Sequence, residues 1–309
     1  MYCFGIDVGG TSIKCGLFKE DGMLVEKWEI PTRTEDKGEH ILPDVAETIN
    51  KKISEKGIDK AEVTGVGIGI PGPTNSRGET SCAVNLYWDF KPVAKELSDL
   101  TGLNAKAGND ANVAALGEAW KGAAAGAQNV IMVTLGTGVG GGIIVDGRIL
   151  AGAHGAGGEI GHANICHEET EACNCGNQGC LEQYASATGI VRLAKKALAA
   201  SGEESILRKA EKLEAKDVLD AFKAGDALAV RVMDEVGEKL GGALGIFAAV
   251  VDPEAIVIGG GVSKAGQPLI DCIEKHYKKY AFSLCKDTFM VIASLGNDAG
   301  IYGAAKMVL

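Results

Sequence analysis

The stretch FGIDVGGTSIKCGLF, residues 4–18, places two short apolar runs on either side of a Gly-Gly-Thr turn. Apolar runs of this length around a glycine turn predict a β-hairpin. Val25 to Ile30 predicts a third strand, and apolar residues at every fourth position between His40 and Glu55 predict a helix. Val63 to Ile70 alternates glycine with branched residues, which is typical of a buried strand with another element packed on its backbone. This order of elements predicts an α/β domain.

The hairpin pattern occurs a second time in the middle of the chain. Val130 to Leu135 predicts a strand, Gly136 to Gly142 a turn, and Ile143 to Gly147 a returning strand. We interpret the two hairpins as a structural repeat, one in each of two domains. The change of domain is expected near residues 118–128, where Gly122 to Gly126 breaks the pattern.

The remainder of the chain predicts mostly helices. The predicted elements are helices at about 188–200, 203–224 and 226–249, a strand from Glu254 to Ile258 that leads into Gly259-Gly260-Gly261, a strand from Phe289 to Ala293, and a last helix from about Asp298 to Leu309. We expect the last helix to return to the first domain. The predicted division is therefore a small N-terminal domain of residues 1–119 plus 297–309 and a large domain of residues 120–296.

Composition and charge exclude several classes of protein. The 309 residues carry a net charge of −10, from 31 Lys and Arg against 41 Asp and Glu, which does not suit a nucleic-acid backbone. The longest apolar stretch, Leu244 to Val251, is far shorter than the ~18 residues that a membrane span needs. Residues 1–10 do not resemble a signal peptide, and nine cysteines in so long a chain do not indicate a secreted scaffold. We expect a cytoplasmic protein that binds neither nucleic acid nor membrane.

The two glycine turns are candidate anion sites. Residues 136–141 fit the G-x-G-x-x-G pattern, but a dinucleotide fold needs a helix after it, and a strand is predicted here. No Gly-Lys dipeptide occurs, which excludes a Walker loop. Successive backbone amides in a glycine turn bind phosphate oxygens, and Thr11 and Thr137 each add a hydroxyl. Asp7, beside the first turn, can hold hydrated Mg²⁺, and the alternative is two ordinary tight hairpins.

Asp110 stands at the start of a predicted helix, Ala111 to Trp120. A residue in this place often caps the helix, which contributes about 1 kcal/mol. It can also act as a general base that accepts the proton of an attacking hydroxyl, because the helix N-terminus favours the ionised form. The residues alone leave both interpretations open.

Three cysteines lie within eight residues, at Cys173, Cys175 and Cys180. Tetrahedral Zn²⁺ takes four nitrogen or sulfur ligands, and this spacing lets a glycine-containing loop wrap one ion. The candidates for the fourth ligand are His162, Cys166 and His167. The alternative is three unliganded thiols. The other five cysteines stand among apolar residues and are predicted to be core thiols: Cys3, Cys15, Cys82, Cys272 and Cys285.

These segments resemble those of a known group of enzymes. They are the sugar kinases with the two-domain actin-like ATPase fold, which is a ribonuclease H-like α/β fold. Asp7-Val8-Gly9-Gly10-Thr11 resembles the phosphate-1 segment of these enzymes, Leu135-Gly136-Thr137-Gly138 the phosphate-2 segment, and Gly259-Gly260-Gly261 the adenosine segment. The cysteine pattern C-x-C-G-x-x-G-C narrows the resemblance to the ROK family and, within it, to the bacterial glucokinases, from Phe4 to about Ala305. This resemblance implies binding of ATP and Mg²⁺. The residues that it assigns to the nucleotide and its metal are Asp7, Gly9, Gly10, Thr11, Lys14, Thr137, Gly138, Gly260 and Gly261.

The resemblance also implies a sugar site. Asn109-Asp110-Ala111-Asn112 matches the family's catalytic segment, in which the Asp is the general base and the Asn binds the sugar. Glu159, His162 and Glu182 resemble the family's ligands of the sugar hydroxyls. A site of this kind discriminates strongly, because a missing hydroxyl leaves a buried acceptor unpaired.

The family pattern favours His162 over Cys166 and His167 as the fourth ligand of a structural zinc. One ring nitrogen on the zinc then fixes the tautomer and directs the other nitrogen to the sugar. Asn85 and Trp88 are predicted to close the sugar site from the small domain. The large domain is predicted to contain the zinc site and the interface of a homodimer.

The resemblance implies phosphorylation of glucose at the 6-hydroxyl, giving glucose 6-phosphate, with Asp110 as the general base. ROK kinases for fructose, mannose, N-acetylmannosamine or N-acetylglucosamine share several of these residues, so the hexose stays open, as do polyphosphate and ADP as donors. Residues 181–186 and the overall match favour glucose. A different class, the sugar-responsive transcriptional regulators, adds an N-terminal helix-turn-helix. We do not expect one here, because the first hairpin begins near Gly5.

Overall fold

A computed structural model describes the whole chain, residues 1–309. The strands are β1 (Tyr2–Val8), β2 (Ser12–Lys19), β3 (Leu24–Pro31), β4 (Val63–Ile70), β5 (Ala105–Asn109), β6 (Val130–Leu135), β7 (Val139–Val145), β8 (Arg148–Ile149), β9 (Ala255–Gly259) and β10 (Phe289–Ile292). The helices are α1 (Glu35–Gly38), α2 (Ile41–Lys56), α3 (Val93–Thr101), α4 (Asp110–Lys121), α5 (Glu182–Ala185), α6 (Ala187–Ala200), α7 (Ala215–Lys223), α8 (Ala227–Val251), α9 (Gln267–Tyr280) and α10 (Ala299–Met307). None of the helices is both long enough and apolar enough to cross a lipid bilayer.

The first sheet has the strand order β3-β2-β1-β4-β5. β1 and β2 form the predicted antiparallel hairpin, in which Asp7 lies opposite Lys14. β3 extends the hairpin on one side, while β4 runs parallel to β1 and β5 parallel to β4 on the other. The core beside this sheet buries Val45 and Ile49 of α2 with Ile68 of β4. The predicted hairpin, third strand, helix and buried strand are confirmed.

Helix α10 packs directly on the backbone of the first sheet. A Cβ atom at Gly5 would overlap the carbonyl oxygen of Ile301, and one at Gly67 would overlap that of Ala304. Only glycine lets a helix approach a strand so closely. The alternating glycines of β4 therefore serve a close packing contact, as the pattern predicts.

The second sheet has the strand order β10-β9-β6-β7-β8. β6, β9 and β10 are parallel, and β7 pairs with β8 in the antiparallel sense. β7 begins at Val139, so the turn before it is Gly136 to Gly138, and the prediction of a turn through Gly142 is wrong. Gly142 is small for a packing reason, because a Cβ atom there would lie 2.5 Å from the Cβ of Ala115 in α4.

The chain divides into two compact units. Unit 1 contains Met1–Gln128, Gly142–Gly158 and Ser294–Leu309, and unit 2 contains Asn129–Gly141 and Glu159–Ala293. The predicted division differs mainly because it places residues 142–158 in the large domain. The physical reason for this difference lies in α4.

Asn112 of α4 explains why the segment Gly142–Gly158 groups with unit 1. Its side chain is buried, with 3% exposed. The amide nitrogen Nδ2 donates to the carbonyl oxygen of Gly157 at 2.8 Å, and Oδ1 accepts from the N–H of Ile143 at 3.3 Å. One buried amide therefore fixes both ends of the segment, and leaving either bond unmade would cost about 1–3 kcal/mol.

The predicted helix over residues 203–224 is present only in its second half, as α7. The first half contains a single 3₁₀ turn, Ile206–Lys209. Asp226, the N-cap of α8, accepts hydrogen bonds from the hydroxyl of Ser205 at 3.0 Å and from the N–H of Ile206 at 2.9 Å. These bonds hold the chain in a non-helical conformation before the turn.

Candidate active site

The first glycine turn lies between β1 and β2. The N–H of Gly9 donates to the carbonyl oxygen of Ser12 at 3.0 Å. Thr32, directly after β3, holds the turn from the side: its hydroxyl donates to the Gly9 carbonyl at 2.7 Å and its N–H to the Thr11 carbonyl at 3.0 Å. Gly10 and Thr11 are exposed at the tip. The turn is thus held through its carbonyl groups, and its tip is open to a ligand.

Asp7 lies beside this turn near the end of β1. Burial raises the pKa of its carboxyl group from 3.8 to about 6; Lys14 lowers this pKa and Asp110 raises it. Helix α10 begins against the carboxylate, because a Cβ atom at Gly300 would lie 2.5 Å from Asp7 Cγ. A part-buried carboxylate that another carboxylate repels is stabilised by a cation. The site therefore fits Mg²⁺, which binds through carboxylates and phosphates.

Asp110 is the first residue of α4, and Asn109 is the N-cap of that helix. Asn109 Oδ1 accepts hydrogen bonds from the N–H groups of Ala111 and Asn112 at 3.0 and 3.1 Å, and its Nδ2 donates to Gly72 O at 3.3 Å. Asp110 Oδ1 accepts from the N–H of Ala111 at 2.8 Å. Because Asn109 does the capping, the structural interpretation of Asp110 as the cap is wrong. A hydrogen bond from the helix N-terminus favours an ionised carboxylate.

The second glycine turn lies between β6 and β7 and is held in the same way. The N–H of Gly136 donates to Gly138 O at 3.0 Å within the turn. At the start of α6, the N–H of Ala187 donates to Gly136 O at 2.8 Å, and Thr188 Oγ1 donates to Thr137 O at 2.8 Å. A threonine hydroxyl and a backbone N–H hold the carbonyls of both turns, which supports the interpretation of the two hairpins as a repeat.

Glu182 contacts both the second turn and the cysteine cluster. Its Oε2 accepts from the N–H of Val139 at 3.0 Å, and a Cβ atom at Gly138 would overlap this oxygen. Its Oε1 lies 3.8 Å from Cys173 Sγ. Sequence reasoning assigned Glu182 to the sugar and missed its contact with the turn.

The late glycines lie at the end of β9, next to the second turn. Gly260 has a positive φ of 83°, and a Cβ atom there would lie 2.5 Å from the carbonyl oxygen of Leu135. Gly261 has no atom within 4 Å of a Cβ position. Gly260 is thus required by close backbone packing, whereas the space around Gly261 is open.

Glu159 and His162 share a single helical turn, as their spacing predicts. The N–H of His162 donates to Glu159 O at 3.1 Å. Glu159 is exposed and His162 is half-buried. His162 Nδ1 lies 3.9 Å from Cys173 Sγ.

The structure brings the predicted metal ligands together. The group whose ligand atoms all lie within 4.8 Å of one another consists of His162, Cys173, Cys175 and Cys180. The sulfur atoms of Cys175 and Cys180 are 3.6 Å apart. Ligand atoms of a tetrahedral site with Zn–S bonds of about 2.3 Å are roughly 3.8 Å apart, so the group fits zinc. Cys166 and His167, the rival ligands, are not part of it.

The thiols of this cluster lie in contrasting environments. Burial raises the pKa of Cys180 to about 12, whereas the backbone N–H of Asn177 lowers the pKa of Cys175. Three thiols this close can ionise together only beside a cation. The donor set therefore suits a metal ion better than free thiols.

Comparison with known proteins agrees with this geometry. A family model described as the ROK family matches residues 3–309. The glucokinase of Halalkalibacterium halodurans is 44% identical over an alignment that covers 98% of this chain and 94% of that protein. The chain belongs to the ROK family.

Solved ROK structures share the fold of this chain. The ROK hexokinase from Thermus thermophilus is 32% identical, with a TM-score of 0.82 over 99% of this chain and 97% of that one. A ROK family glucokinase from Streptomyces griseus, in complex with glucose and AMPPNP, is 33% identical, with a TM-score of 0.72 over 99% of both chains. The predicted fold class, a two-domain actin-like ATPase fold of the sugar kinase type, is confirmed.

In this ROK chain an ion pair that sequence reasoning missed also holds the cysteine loop. Glu169 Oε2 accepts from Arg192 of α6 at 2.8 Å and from the hydroxyl of Tyr184 at 2.7 Å. The Arg192 guanidinium lowers the pKa of Glu169 to about 2. The pairing depends on tertiary contacts between distant residues, so no local pattern predicts it.

Two predictions for this ROK chain are wrong. The prediction for Trp88 is wrong, because this residue belongs to the core of unit 1, where its indole N–H donates to Gly38 O at 3.2 Å. Asn85 is exposed, and its role at a sugar site stays a prediction. Cys82 is exposed, and Cys272 is half-buried. The cysteines that are core thiols as predicted are Cys3, Cys15 and Cys285.

Proposed function

We propose that this protein is a glucokinase, which transfers the γ-phosphoryl group of ATP to the 6-hydroxyl of glucose. The observation that carries the proposal is the pair of matching glycine turns, each with its carbonyls held by a threonine hydroxyl and a backbone N–H. Such turns bind phosphate groups through their remaining N–H groups. The curated glucokinase relative and the glucokinase structure with glucose and AMPPNP support these two ligands.

The nucleotide is proposed to bind through both turns and the late glycines. The residues proposed for the phosphates are Gly9, Gly10, Thr11, Lys14, Thr137 and Gly138, and those for the adenosine are Gly260 and Gly261. Asp7 would hold Mg²⁺ through water. When bound, this ion neutralises charge on the phosphates during transfer.

Asp110 is proposed as the general base. Its carboxylate would accept the proton of the 6-hydroxyl as that oxygen attacks phosphorus. Glu159 and Glu182 would accept hydrogen bonds from other sugar hydroxyls, and the Asn109 amide would donate one. A sugar that lacks one of these hydroxyls would leave the carboxylate that binds it without a hydrogen bond, so these residues would also select the hexose.

A structural zinc is proposed in the cysteine cluster. His162 and the three cysteines would hold it, with His162 Nδ1 on the metal side. Zinc would fix the imidazole tautomer, so that Nε2 carries the proton and donates to a sugar hydroxyl. The division into small and large domains, the homodimer and the cytoplasmic location stay predictions.

The proposal is tested by a coupled assay of ADP release with Mg·ATP over a panel of hexoses. We expect glucose to give the highest kcat/KM. We also expect Asp110→Asn to lower kcat by about 10²–10⁴, the contribution of a general base, with little change in the Kd of glucose or nucleotide. The matched control is Asp99→Asn, which removes an exposed α3 carboxylate paired with Lys95 in the same unit.

The outcomes of this assay separate substrate from chemistry. A higher kcat/KM for another hexose would change the substrate and keep the reaction. Full activity of Asp110→Asn would contradict the role of this residue. No phosphorylation of any sugar by folded, zinc-loaded protein would overturn the proposed function.

A further inference from the structure

The start of α6 fixes the direction of two peptide groups in the second glycine turn. The Gly136 carbonyl points to the N–H of Ala187, and the Thr137 carbonyl points to the hydroxyl of Thr188, both at 2.8 Å. A trans peptide group is planar, so its N–H points opposite to its carbonyl. The N–H groups of Thr137 and Gly138 therefore both point away from α6. Two successive N–H groups on one side of a turn form an anion site.

We propose that Thr188 is a positioning residue for the nucleotide phosphates. It acts through the peptide group between Thr137 and Gly138, whose N–H it directs to the ligand. This inference rests on the proposed function, because it takes the second turn to be a phosphate site. Neither motif nor spacing assigns a role to Thr188, which is exposed and lies in the first turn of α6.

The first turn is held by the same two kinds of donor, a threonine hydroxyl and a backbone N–H, but they bond the carbonyls of Gly9 and Thr11, which are not successive. The Thr32 hydroxyl donates to the Gly9 carbonyl at 2.7 Å, which directs the N–H of Gly10 away from β3. The two threonines are far apart in sequence and occupy different elements. A threonine hydroxyl thus orients a peptide group in each of the two turns.

The helix does not need the Thr188 hydroxyl for its own start. Ser186 is the N-cap of α6, and its Oγ accepts the N–H of Gly189 at 2.9 Å. Ser186 Oγ also lies 2.9 Å from Thr188 Oγ1. Removing the Thr188 hydroxyl therefore leaves the cap in place and removes the bond to Thr137.

The test is the affinity of Thr188→Val for Mg·AMPPNP, measured by calorimetry on the zinc-loaded protein without sugar. Valine keeps the shape of threonine and lacks its hydroxyl. We expect the Kd to rise about 3- to 10-fold, the effect of one hydrogen bond. The Kd of glucose should change less than about 2-fold, and Thr188→Ser should restore nucleotide affinity, because serine keeps the hydroxyl.

A merely structural role would give a different pattern, with glucose and nucleotide weakened together and no rescue by Thr188→Ser. That pattern, or a nucleotide Kd of Thr188→Val equal to that of the wild type, would overturn the inference. Failure of the wild type itself to bind Mg·AMPPNP would instead overturn the proposed function. If Thr188→Val does not fold, Thr188→Ala serves as the second variant and must meet the same criteria.

Discussion

The carbonyls of both glycine turns are held by a threonine hydroxyl and a backbone N–H, but the two turns depend on different parts of the molecule. Thr32, directly after β3 of the same sheet, holds the first turn, and α10 lies against Asp7 beside it. The second turn is held by residues 182–188, which follow Cys180 of the cysteine cluster. The supports of the first turn lie in its own sheet and in α10, whereas those of the second turn lie next to the proposed zinc site, on which we expect their order to depend. Loss of metal should affect one turn and spare the other.

The largest effect is expected from breaking the cluster with Cys180→Ser. Because metal binding supplies folding energy where the site is assembled, residues 159–188 should lose order, and the second turn with them. We expect a loss of at least ~10² in kcat/KM. Amide hydrogen exchange should become faster in residues 130–188 and stay unchanged in β1 and β2.

The matched control for this variant is Cys82→Ser, which removes an exposed thiol of unit 1. It should keep wild-type activity and exchange. Equal protection of the second turn in Cys180→Ser and the wild type would show that the turn does not depend on the cluster, and the contrast between the two turns would be lost.

A smaller effect is expected from adding one methyl group to each turn. Gly138→Ala places a Cβ atom on Glu182 Oε2, whereas Gly10→Ala meets no atom within 4 Å. We expect Gly138→Ala to speed the exchange of the Val139 amide even without ligand and to weaken nucleotide binding about 10-fold, because the carboxylate must move from its hydrogen bond. Gly10→Ala should leave the ligand-free protein unchanged. Equal hydrogen-exchange rates of the Val139 amide in the two ligand-free variants would contradict this difference.

Local patterns in the sequence predict the parts of the molecule that depend on neighbouring residues. Turn residues predict the hairpin of β1 and β2, and periodicity predicts the helix α2. The spacing of the cysteines, together with the ligand chemistry of zinc, predicts the cysteine cluster. The start of β7 could not be predicted in this way, because a run of glycines is typical of a turn, whereas Gly142 is small for packing on α4.

The supports of the site could not be predicted because they are contacts between distant residues. Asn112 joins α4 to a segment some 30 to 45 positions later, and Thr188 reaches back 51 positions to Thr137. Glu182 has a role suggested by its family motif, yet its bond to Val139 has no local signature. The family resemblance suggests which residues bind the ligands, while the structure shows which other residues hold those residues in place.

The smallest effect is expected from Asp7, the carboxylate beside the first turn. Burial raises the pKa of Asp7 from 3.8 to about 6, so the folded state binds its proton more tightly than the unfolded state does. Between these two pH values ionisation therefore costs increasing stability as the pH rises, up to about 3 kcal/mol at about 1.4 kcal/mol per pKa unit. In buffer without added Mg²⁺, Asp7→Asn should raise the Tm by a few degrees, more at pH 7.5 than at pH 5. Thermal unfolding of both proteins at the two pH values checks this, with Asp99→Asn as the control, and an equal difference in Tm at both would show that the Asp7 carboxylate is not destabilised by its surroundings.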